Sequence, residues 1–63
     1  MKINLISEDY PEGLIVHWPA APGTGDTVSF RYPGGTSVWK VESVEYEANS
    51  EHRLTGVTVH LQQ

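Results

Sequence analysis

Sixty-three residues with a net charge of −4 leave room for one small domain spanning residues 1–63 and little more. The chain has no cysteine, so it can form no disulfide and present no thiolate nucleophile or zinc ligand. Its four basic residues, Lys2, Arg31, Lys40 and Arg53, are scattered and outnumbered by eight acidic ones. That balance argues against nucleic acid as a partner, since non-specific affinity needs several neutralised phosphates.

Two Trp, three Tyr and one Phe accompany this modest charge, a composition that favours a folded chain over a disordered one. The opening stretch Met1–Ser7 meets Glu8 and Asp9 before an apolar run of roughly 7–15 residues, as a secretory signal needs, can develop. No segment approaches the roughly 20 apolar residues of a membrane span. The expectation is a soluble, cytoplasmic protein without a membrane partner.

Along the chain the hydrophobic pattern has period two, and the turn residues fall between the alternating runs. Lys2–Ile6 places Ile3 and Leu5 on one face. Glu8–Gly13 then reads as a turn, with Pro11 fixing φ and Gly13 free to adopt a positive φ. Leu14–Trp18 puts Leu14, Val16 and Trp18 on one face and Ile15 and His17 on the other, which makes a hairpin with the first run. Pro19–Gly25, with two prolines and two glycines, is a loop inside the domain. Asp26–Tyr32 resumes the alternation with Val28, Phe30 and Tyr32 inward, and Pro33-Gly34-Gly35 turns the chain into a second hairpin.

The next strand, Ser37–Glu47, breaks parity. Trp39 and Val41 share one face and Val44 and Tyr46 the other, unless a bulge near Glu42-Ser43 inserts one residue and returns both pairs to the core. Ala48–His52 is a polar turn. Arg53–Gln62 closes the chain with Val57, Val59 and Leu61 inward, and a second bulge at Gly56 would turn Leu54 inward too. The expected fold is all-β: a five-stranded antiparallel meander closing into a small barrel, which removes edges prone to aggregation. Its expected core is Ile3, Leu5, Leu14, Val16, Trp18, Val28, Phe30, Trp39, Val41, Val44, Tyr46, Val57, Val59 and Leu61.

Gly25–Phe30, the glycine turn, Trp39–Tyr46 and the closing Leu54–Leu61 resemble the middle and final strands of small SH3-like barrels. The same pattern resembles very short, uncharacterised bacteriophage and prophage proteins. The resemblance covers about two thirds of the chain through strand and turn residues, and implies binding rather than catalysis. The acidic loop and paired-aromatic groove of proline-peptide binders cannot be placed on this sequence, so that specificity does not carry over.

Chemical motifs are sparse. His17, His52 and His60 lack the mutual spacing of a metal site and have no cysteine to complete one, so no metal or other cofactor is expected. The serines and Asp9 and Asp26 do not by themselves form a triad, which also requires a placed histidine and a pocket of roughly 300 Å³ or more. Pro22–Asp26 lacks the signature of a phosphate loop, and Asp26 would repel the anion. Two features remain as candidates for partner binding. Glu42, Glu45, Glu47 and Glu51 fall close together without an intervening Lys or Arg: either a solvated turn guarding a strand edge, or an acidic face that docks on a basic partner. Tyr10 and Tyr32, at turn edges, are contact candidates, whereas Trp18 and Trp39 are expected in the core. The sequence thus suggests a non-enzymatic protein-binding module, monomer or homodimer, and on the phage resemblance an inhibitor of a host protein. The alternative is a self-associating structural or assembly component.

Overall fold

The computed structural model describes residues 1–63 as five strands without a helix: β1 (Lys2–Ile6), β2 (Leu14–His17), β3 (Thr27–Tyr32), β4 (Gly35–Ala48) and β5 (Leu54–Gln62). No helix is therefore long and apolar enough to cross a membrane. The strands form one curled half-barrel sheet in the order β2-β1-β5-β4-β3.

This order corrects the expected antiparallel meander. The β1–β2, β3–β4 and β4–β5 pairs are antiparallel, but β1 runs parallel to β5, with Leu5 opposite Val59. β2 and β3, neighbours in sequence, occupy opposite edges and do not pair. The physical reason lies in burial. Placing β1 and β5 side by side at the centre of the sheet buries Ile3 and Leu5 together with Val57, Val59 and Leu61. A parallel pair needs a long crossover, which the chain between the two strands supplies.

One core results. Ile3, Leu5, Trp39, Val41, Val57, Val59 and Leu61 are buried, and Leu14, Val16, Trp18, Ala21, Val28, Phe30 and Val44 pack against them. Every expected core residue except Tyr46 is in this set. The Glu42 bulge is present: Val41 opposes Leu61 while Ser43 opposes His60, leaving Glu42 as the extra residue. A second irregularity leaves Thr55 unpaired beside Gly56, yet Leu54 remains exposed rather than turned into the core.

The turns follow from their residues. Gly13 N–H donates to Tyr10 O at 3.0 Å across Pro11-Glu12, and Gly13 takes φ 98°. A Cβ at Gly13 would also collide with the Asn4 side-chain amide, so both backbone and space require glycine there. Ser7, the one buried polar residue, closes the preceding turn: its Oγ accepts from Tyr10 N–H at 3.2 Å. Gly23–Asp26 turns the chain into β3, with Gly23 N–H donating to Asp26 Oδ2 at 2.7 Å and Asp26 N–H to Gly23 O at 3.0 Å. Gly25 N–H and Asp26 O then both bond to Val41, a glycine bulge that ends the β3–β4 ladder.

The molecule is long for its size. Its radius of gyration is 12.4 Å and its extents are 45 × 21 × 20 Å, against about 10.6 Å expected of a compact chain of this length. β4 accounts for the difference. Its 14 residues span about 43 Å at roughly 3.3 Å per residue. β1 and β3 have only 5 and 6 residues. Beyond Val41 the distal half of β4 has β5 as its one ladder partner, and past Glu47–Gly56, where β1 also ends, the two strands project as a two-stranded tip.

Candidate functional site

The distal β4–β5 ladder, the arm, runs from Val44 to the tip turn at Asn49–Arg53 and back along β5, with β1 beside β5 over its first part. Alternation gives it two chemically different faces. Glu45 opposes Thr58 and Glu47 opposes Gly56 on the convex face, away from the core. Tyr46 opposes Val57 on the concave face. Parity alone puts Tyr46 on the core side, but β3 begins only at Thr27, level with Lys40, and leaves that edge of β4 uncovered, and the ring is 59% exposed. Leu54, near the tip, is 52% exposed.

The tip turn is held by Asn49. Its Oδ1 accepts from Glu51 N–H at 2.9 Å and Arg53 N–H at 3.1 Å, while His52 N–H donates to Asn49 O at 2.9 Å. Asparagine favours such local bonding to its own turn. His52 occupies the left-handed region at φ 64°, a position that three-residue hairpin loops usually give to glycine. Thr55 Oγ1 ties the returning strand to Glu47 O at 3.2 Å.

The six sequence candidates are all exposed but do not converge. Glu45 and Glu47 share the convex face of the arm, Glu51 sits in the tip turn, and Glu42 is the bulged residue at the arm's base. Tyr32 lies in the Pro33-Gly34 hairpin at the opposite end of β4, packed over Gly35. Tyr10 lies in the turn beyond Ile6, level with His60 and likewise away from the tip. The structure therefore separates the acidic set from both tyrosines. The aromatic side chain that it does bring to the arm is Tyr46, which periodicity had assigned to the core. The missed signal was strand length: a 14-residue strand outruns its neighbours, whatever its parity.

Two shallow clefts mark where the arm leaves the sheet. One, of about 360 Å³, lies among Met1, Lys2, Leu54, Thr55, Gly56 and Val57. The other, of about 280 Å³, lies on the convex side, where Lys2, Asn4, Ile15, Glu47 and Thr58 surround Gly56. A Cβ at Gly56 would meet nothing within 4 Å, so this glycine contributes open space rather than a required close approach.

His17 lies on β2, His60 on β5 and His52 at the tip, and no three His, Asp or Glu side chains gather into a group that could hold a metal ion. At the Gly23–Asp26 turn the Asp26 carboxylate takes up the Gly23 N–H that a phosphate would have to use. The arrangement offers open charged and aromatic surface on a rigid ladder, which suits contact with another macromolecule. Comparison with protein-family models, with curated proteins and with solved structures returns no match.

Proposed function

We propose that this chain is a non-enzymatic protein-interaction module whose binding element is the β4–β5 arm. The carrying observation is the pairing of two exposed chemistries on one projecting ladder: Glu45 and Glu47 on one face, Tyr46 and Leu54 on the other. Carboxylates steer a basic partner toward the arm, and a half-exposed tyrosine supplies a rigid contact of low entropic cost. Glu51 extends the negative surface to the tip and Glu42 extends it to the base. The finer reading, in which the domain is an SH3-like barrel and a phage-encoded inhibitor of a host protein, belongs to the same proposal. Its support is the sequence resemblance and the acidic balance of the chain.

The test compares wild type with Glu45→Lys/Glu47→Lys and with Tyr46→Ala as baits in extract of the encoding organism, followed by kinetics on the captured protein. Charge reversal should slow association at least about tenfold at low salt, with less effect at high salt. Tyr46→Ala should mainly speed dissociation. Capture that is indifferent to all three substitutions would remove the arm from the proposal.

A further inference from the structure

β3 is an edge strand, with β4 as its one neighbour in the sheet. Tyr32 and Gly35 flank the two-residue turn Pro33-Gly34, which makes them a hydrogen-bonded pair. Bonded and non-bonded pairs alternate along an antiparallel ladder. Phe30 and Val28 therefore bond to β4, and the Val41 N–H to Asp26 O bond of 2.9 Å continues the same phase. Thr27, Ser29 and Arg31 are the non-bonded positions, so their N–H and C=O groups point away from β4. No backbone hydrogen bond from a turn or loop uses these three residues, and no other strand contacts this side.

We propose that the chain forms a two-fold symmetric dimer by antiparallel pairing of β3 with β3 of a second copy, centred on Ser29. That register sets Ser29 against Ser29 of the second copy and Thr27 against its Arg31, with about six hydrogen bonds from three bonded pairs. On the concave face Val28 falls beside Phe30 of the second copy, a β-branched and aromatic pair that adds side-chain contact. Both residues are only partly buried in one chain. On the opposite face Thr27 of each copy lies across from the other's Arg31, so no like charges oppose one another along the ladder.

Neighbouring registers are poorer. Centring on Phe30 sets Thr27 against Pro33, which has no N–H. Centring on Val28 sets Arg31 against Gly25, whose N–H already bonds to Val41 O at 2.9 Å. The other sheet edge is less suited: β2 has 4 residues, and the N–H of the following Trp18 is taken by Met1 O at 2.9 Å, just before Pro19. In this dimer the sheet becomes continuous through both copies, and the two arms project from opposite ends with their acidic faces free.

Analytical ultracentrifugation from micromolar to millimolar protein tests this directly. The expected result is reversible association of two 7.0 kDa chains. Ser29→Pro, or a synthetic chain N-methylated at Ser29, removes the outward donor without touching the bonds to β4. Either should weaken the dimer by about 30-fold or more, since two hydrogen bonds disappear per dimer. Hydrogen exchange on the wild type avoids any folding defect in those variants: the Thr27, Ser29 and Arg31 amides should gain protection as concentration rises. A wild-type chain that stays monomeric at millimolar concentration, leaving the edge to solvent or to another protein's strand, overturns the proposal. So does a dimer in which these three amides remain unprotected.

Discussion

Trp39 and Val44 face one core from a single strand although their positions differ in parity. Glu42 is the residue that makes this possible, because it is left without a partner between Val41 and Ser43. Deleting Glu42 should therefore make the ladder regular, with Ser43 following Val41 opposite His60 and with Trp39, Val41 and Val44 all still on the core side. The expected change in stability is within about 1 kcal/mol, read from urea unfolding. A loss above about 2 kcal/mol would show that Glu42 is not the extra residue and that one half of β4 has turned over.

Gly13→Ala should cost about 2–3 kcal/mol, because a Cβ at φ 98° is strained and also strikes the Asn4 amide. The two contributions separate in a double-mutant cycle. In an Asn4→Ala background the collision is gone and only the backbone term of about 1 kcal/mol remains. Equal costs in both backgrounds would place the whole effect in φ.

At the tip the expectation runs the other way. His52→Gly removes a side chain from the left-handed region and should stabilise the domain by up to about 1 kcal/mol. Asn49→Ala should cost about 0.5–1.5 kcal/mol, since its Oδ1 accepts from two exposed N–H groups that water can also serve. Thermal melts of both variants suffice, and a destabilised His52→Gly would indicate a contact of the imidazole that outweighs the strain.

Fluorescence distinguishes the two tryptophans. Trp39 is 1% exposed and should resist iodide, whereas the half-buried Trp18 should be quenched. In Trp18→Phe the quenchable fraction should disappear. Quenching that persists would mean that the core around Trp39 opens on the timescale of the measurement.

Much of this fold can be read from the sequence, and the remainder has physical causes. Alternation located all five strands to within one or two residues and exposed the parity conflict that predicts the Glu42 bulge. Periodicity reports which face a side chain occupies, but not which strand lies alongside. The pairing of Ile3 and Leu5 with Val57 and Val59 in parallel was therefore not legible, because any apolar strand would have satisfied the pattern. Nor does periodicity report whether anything lies against that face, so Tyr46 and Leu54 were placed on the core side but not recognised as exposed. The acidic residues were legible as solvent-facing. Their separation from Tyr10 and Tyr32 depends on how far β4 extends, which only the assembled sheet decides.

The parallel pairing of β1 with β5 also governs how the domain can be made. Leu5 finds Val59 only after β2, β3 and β4 have been synthesised. Before then the ribosome can release two local hairpins, β1–β2 and β3–β4, that share no hydrogen-bonded ladder. β5 lies between them and joins them, so assembly of this sheet must wait for β5. Such a route is dominated by distant contacts and should be slow for a chain this short. Removing β5 would leave two loose ribbons instead of a smaller sheet.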